Sequence, residues 1–118
     1  MKKWKKPTKN FYMMPNEVFN LNLDPYEFMI LSYLVRRMNW DSECWPSFQT
    51  MSKDLGISVS TLESRIAKMR KRRLISVSKY TSKGKRQNNV YTINSLENPE
   101  IYRDPDVVEE DELPLAIA

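Results

Sequence analysis

The sequence predicts a small, mainly α domain of three helices closed by a β-hairpin. Three observations carry that prediction. Residues 24–39 form a capped and almost wholly apolar stretch. Two shorter amphipathic stretches, 48–55 and 59–72, are separated by Gly56 and a few small residues. Two alternating, β-rich runs, 74–80 and 89–93, lie on either side of Gly84.

Taken in order, residues 1–10 ("MKKWKKPTKN") read as a flexible basic arm, and "FYMMPNEVFNLNL" (11–23) as a short extended or turn-rich segment. The first helix begins at Asp24, a good N-cap, with Pro25 at its first position and Glu27 completing a capping box. Phe28, Met29, Ile30, Leu31, Leu34, Val35 and Met38 make it apolar almost all round, as expected of the buried centre of a small domain. "WDSECWPS" (40–47) reads as a loop whose Ser47 caps the second helix. There Phe48, Met51, Ser52 and Leu55 share one narrow face, and Gly56 ends it with a conformation open to φ > 0. Ser58 caps the third helix, whose inward seam is Val59, Leu62, Ile66 and Met69. Two helices joined by so short a glycine-containing turn form a helix-turn-helix. Followed by the hairpin 74–93, with a basic tip over 81–88, they predict a winged-helix arrangement spanning 11–96.

The charge is unevenly placed. Residues 1–96 hold 18 Lys and Arg against 7 Asp and Glu, whereas 97–118 hold one Arg against 8 acids. A basic body with an acidic, proline-bearing tail points to a polyanionic partner, and the tail's composition predicts disorder. A lone Cys44 and no histidine leave no zinc site and no histidine-based nucleophile pair. Two glycines leave no phosphate loop. No enzyme activity, metal or cofactor is expected. The basic N-terminus is not followed by a signal-peptide core, and no apolar run reaches the ~18 residues of a membrane span, so a cytoplasmic protein with no membrane partner is expected.

The segments "FYMMPNEVF", "CWPS", "LGISVSTLESRI" and "NVYTI", in that order and spacing, resemble the winged helix-turn-helix domains of plasmid and phage proteins. That family includes replication-initiator N-terminal domains and small DNA-binding regulators, and the likeness covers residues 11 to 94. It implies a winged-helix fold and duplex DNA binding, with transcription regulation and replication initiation both open. The chain departs from the family in two places. A basic residue is common where Ser64 stands, and a small one where Arg65 stands. A glycine usually ends the recognition helix, where this chain has Arg73. Arginine tolerates a left-handed conformation poorly, so a different helix ending is expected.

In a helix-turn-helix the second helix enters the major groove. With the 59–62–66–69 seam inward, Ser60, Ser64, Lys68 and Lys71 point outward, with Thr61 on one shoulder and Arg65 on the other. Ser60, Thr61, Ser64 and Lys68 are expected on bases, and Arg65 on a base or a phosphate. Ser58 is expected to cap, and to reach a phosphate through its backbone N–H. The run Arg70 to Arg73, including Lys71 and Arg72, lies too far along to read bases and serves phosphates or the helix dipole. Lys83, Lys85 and Arg86 at the wing tip suit the minor groove or flanking phosphates. Trp40, Trp45 and Tyr91 are assigned to the core rather than to base stacking on single strands. Cys44 is assigned to the core as well, and Asn89 to securing the wing backbone.

The expected partner is double-stranded DNA, bound by a homodimer that assembles on it. An alternative is a protein-interaction module that uses the winged helix and acidic tail to bind host machinery. The tail either keeps the chain soluble, covers the basic surface, or docks a protein partner; "ELPLAI" (112–117) faintly resembles sliding-clamp docking peptides.

Overall fold

The computed structural model describes residues 2–79 and 89–96. After the exposed N-terminal residues, a 3-10 turn at Asn16–Asn20 drops Val18 and Leu21 into the core. Helix α1 runs over Pro25–Arg37, strand β1 over Glu43–Cys44, α2 over Phe48–Leu55 and α3 over Val59–Lys71. Strands β2, Ile75–Lys79, and β3, Asn89–Ile93, complete the fold.

Each helix starts where the sequence places a cap. The Asp24 carboxylate accepts from the Glu27 N–H at 2.8 Å. Ser47 Oγ accepts from the Thr50 N–H at 3.1 Å, and Ser58 Oγ from the Thr61 N–H at 3.2 Å. Gly56 ends α2 at φ +67° and donates its N–H to the Ser52 carbonyl. A Cβ there would meet nothing within 4 Å, so the demand for glycine is conformational and not steric.

The end of α3 corrects the expectation made for Arg73. Arg73 sits at φ +61°. Its N–H bonds the Arg70 carbonyl (2.9 Å), and the Leu74 N–H bonds the Met69 carbonyl (3.1 Å). This is the two-bond Schellman closure that a glycine usually makes, here made by an arginine. Met69 and Leu74, both fully buried, supply the apolar contact that accompanies it.

The sheet has three antiparallel strands in the order β1-β3-β2, one more than the expected hairpin. Cys44 faces Tyr91 across β1 and β3, while Val77 faces Tyr91 and Ile75 faces Ile93 across β2 and β3. β1 lies inside the segment expected to be a loop; a two-residue strand is too short to show alternation. The core gathers Leu21, Ile30, Leu31, Leu34, Met51, Leu62, Met69, Leu74, Ile75 and Tyr91, all fully buried. α1 is its centre, though not buried on all sides: Met29 and Met38 are exposed. Cys44 and Tyr91 are buried as expected, and burial pushes the Cys44 thiol up to about 11.

Trp40 and Trp45, assigned to the core, are instead exposed, Trp40 completely. The Asn39 side chain accepts from the N–H groups of Asp41 (2.9 Å) and Glu43 (3.1 Å), and this tight turn holds Trp40 outward. At the far end of α1 the Tyr33 hydroxyl donates to Asp54 (2.6 Å) and accepts from Arg37 (2.8 Å), tying α1 to the last turn of α2. No helix among the described residues is long and apolar enough to cross a membrane.

Candidate nucleic-acid interface

The geometry of α3 follows from where its seam falls. Leu62 and Met69 are fully buried and Ile66 nearly so, which turns the opposite side of the helix outward. Ser60, Glu63, Ser64, Ala67, Arg70 and Lys71 are all exposed. At 100° per residue, Ala67 lies near the middle of the stripe formed by Ser60, Glu63, Ser64 and Lys71. Ser60, Ser64 and Lys71 therefore stand where the sequence places them, on the open face. Glu63 and Ala67 were not among the expected residues. The apolar seam alone does not single them out, because a neighbouring helix covers one flank of α3 and shifts the open face.

That flank packs against the first turn of α1, where Thr61, Arg65, Lys68 and Arg72 recur at helical spacing. Arg65 Nη1 lies 2.7 Å from Asp24 Oδ2, with both side chains about two-thirds covered. Its guanidinium also sits over the Tyr26 ring, 5.5 Å from the centroid. Asp24 thereby both caps α1 and holds Arg65. Burial opposes ionisation of Asp24, but its hydrogen bonds from Glu27 and the Arg65 charge outweigh this and lower its pKa.

Glu27 is almost completely buried beside this pair. Desolvation raises its pKa, as do the hydrogen bond and charge of Asp24, while Lys68 and Arg72 pull the other way. Lys68 is half-buried, so its ammonium serves Glu27 as well as the surface.

Arg72 is the clearest departure from the expected phosphate contacts. It is 4% exposed and donates through Nη2 to the Leu21 carbonyl. It braces the turn before α1 against the end of α3 and is turned away from the open face. Ser58 is a cap in full: its Oγ also donates to Thr61 Oγ1 at 2.9 Å and lies 3.2 Å from Ser60 Oγ. Lys83, Lys85 and Arg86 lie outside the described residues, and so does residue 80 at the end of the expected strand. Asn89 donates to the Tyr91 hydroxyl (3.4 Å) at the start of β3. Among the described residues, no group of three or more His, Cys, Asp or Glu side chains could hold a metal ion.

Comparisons with known proteins bear on the fold. Residues 21–75, from the turn before α1 to the start of β2, match the family model described as a helix-turn-helix domain. No curated protein matches the sequence. A solved structure from Methanosarcina mazei Go1, titled "Possible transcriptional regulator", is similar in fold with a TM-score of 0.54 and 20% identity. The likeness covers 71% of this chain and 68% of that one. Three helices in that order, with a three-stranded antiparallel sheet behind them, make the fold a winged helix built on a helix-turn-helix domain.

Proposed function

We propose that the protein is a non-enzymatic, sequence-specific binder of duplex DNA that acts as a transcription regulator, with α3 in the major groove. The observation that carries this reading is the open stripe of α3, where Ser60, Ser64 and Ala67 let the helix backbone approach base edges closely. Ser60 and Ser64 accept or donate at several bases. Glu63 accepts from the amino group of cytosine, and Ala67 packs on a thymine methyl. Arg70 and Lys71 reach phosphates. Thr61, Arg65 and Lys68 border the same groove; Arg65 reaches DNA only by releasing Asp24.

The Ser58 backbone N–H reaches a phosphate at the start of α3. Lys83, Lys85 and Arg86 extend the site onto the minor groove or flanking phosphates. Two copies bind a palindromic site, one recognition helix to each half. The plasmid or phage setting and the alternative role in replication initiation rest on the sequence resemblance. A preferred site in a promoter supports the regulator, and iterated origin repeats support the initiator.

The test is selection from random duplexes with the wild type and with Glu63→Gln. Glutamine pairs with adenine where glutamate accepts from cytosine. One position of the site is expected to change from C to A, with discrimination of about 1–3 kcal/mol. Identical selected sites would remove Glu63 from the base contacts. No selected site for either protein would defeat the reading as a whole.

A second reading gains from the exposure of Trp40 and Trp45: single-stranded nucleic acid stacking on these rings. Tryptophan quenching by oligothymidine, stronger than by a duplex of equal length, would support it. Equal or absent quenching would dismiss it.

A further inference from the structure

Asp24 divides its two carboxylate oxygens between two tasks. Oδ1 accepts from the Glu27 N–H at 2.8 Å and starts α1, while Oδ2 lies 2.7 Å from Arg65 Nη1 on α3. The cap is therefore kept when Arg65 leaves, and the ion pair opens without unravelling α1. About a third of each side chain is exposed, so a polyanion has access to the pair. A pair this exposed shifts an equilibrium by no more than about fivefold, and one aligned phosphate or guanine suffices to displace it. Arg65 directly follows Ser64 of the open face, and its guanidinium lies 5.5 Å from the centre of the exposed Tyr26 ring. That ring supports the guanidinium through its cationic charge, whether or not Asp24 holds it.

On the reading that places α3 in the major groove, we propose that Asp24 determines specificity without touching DNA. It keeps Arg65 from random duplex and yields it only at the preferred site. Specificity is a difference of affinities, and it rises when a contact is denied to the wrong partner. On random duplex α3 is not seated in register with base edges, so Arg65 meets no aligned acceptor and stays with Asp24. At the preferred site α3 is seated, and Arg65 exchanges Asp24 for a phosphate or a guanine. Lys68 and Arg72, whose charges already act on the neighbouring Glu27, offset the carboxylates left behind.

The test is a set of anisotropy titrations of the full chain with its preferred duplex and a scrambled one, for wild type, Asp24→Asn, Arg65→Met and the two combined. Asp24→Asn keeps an acceptor for the cap, and Asp24→Ser does so as a second variant. Both are expected to bind scrambled duplex about two- to fivefold tighter than wild type. The slope of log affinity against log salt on that duplex is expected to steepen by ~0.9, one added phosphate contact. Affinity for the preferred duplex is expected to change by less, so the ratio between the two falls. With Arg65→Met already present, Asp24→Asn is expected to bring no such gain. An equal gain without Arg65 would overturn the proposal, because it would report only the loss of a negative charge. Unchanged affinity for scrambled duplex beside an intact preference would overturn this proposal alone. A wild type with no preferred duplex would instead defeat the reading of α3 on which it rests.

Discussion

Arg73 holds a backbone conformation that costs an L-residue about 1–2 kcal/mol, yet the α3 ending depends on it. The cost is set by the Cβ, so substitutions there sort by shape. Arg73→Gly and Arg73→Asn are expected to match or exceed the wild type in urea unfolding. Arg73→Val is expected to lose about 1–2 kcal/mol relative to Arg73→Gly. Equal stability of the valine and glycine variants would mean that the turn is not closed as described.

Glu27 sets a second test at the same scale. Its folded pKa is raised, so its neutral form suits the fold. The wild type therefore gives up stability as pH rises from the unfolded value through the raised one. Asp24 acts in the opposite sense: its lowered pKa adds stability that is lost as pH falls through that value. Glu27→Gln removes only the first effect. Its stability relative to wild type is expected to increase between strongly acid and neutral pH, as measured by thermal melts across that range. A constant difference would mean that Lys68 and Arg72 neutralise Glu27 completely.

At the scale of elements, the contact between α1 and α3 combines a cap with an ion pair, and their magnitudes differ. Loss of a helix cap costs about 0.5–2 kcal/mol, whereas a part-exposed ion pair is worth roughly 0–1. Asp24→Asn keeps an acceptor for the Glu27 N–H and gives up only the charge facing Arg65. It is expected to be milder than Asp24→Ala, by about the value of the cap. Equal losses in urea titrations would put the weight on the ion pair.

The helices were legible in the sequence because each carries its own start and stop signals: Asp24 with Pro25, Ser47 with Gly56, and Ser58. β1 was not, since Glu43–Cys44 is a strand only because β3 lies beside it. Arg72 was illegible for a similar reason. Its place on α3 is a shoulder about 100° from the apolar seam, and only the crossing of α1 turns that shoulder inward. The same crossing moves the open face toward Glu63 and Ala67. The closure at Arg73 did leave a trace, because an apolar residue such as Leu74 just past a helix end is part of that motif. For Trp40 no periodicity in the loop distinguishes inside from outside, and the Asn39 turn decides.

Over the whole molecule, the 18 cations of residues 1–96 fall mainly in two places, five in residues 1–10 and six between Arg65 and Arg73, while most of the described core is uncharged. If about six of them meet phosphates, the logarithm of affinity is expected to fall against the logarithm of salt with a slope near −5. A slope near zero would remove the phosphate contacts altogether. Under the proposed function the open stripe of α3 supplies the sequence preference, and it is separable from stability because exposed positions tolerate substitution within about 0.5 kcal/mol. The most direct measurement is a fluorescence-anisotropy titration of the wild type and Ser64→Glu, using duplexes tiled from the DNA around the gene and a scrambled duplex. The wild type is expected to prefer one duplex by a factor of about a thousand or more over scrambled DNA, and Ser64→Glu to lose that preference while melting at the same temperature. Binding that is blind to sequence, and equal in the two proteins, would contradict a recognition role for α3.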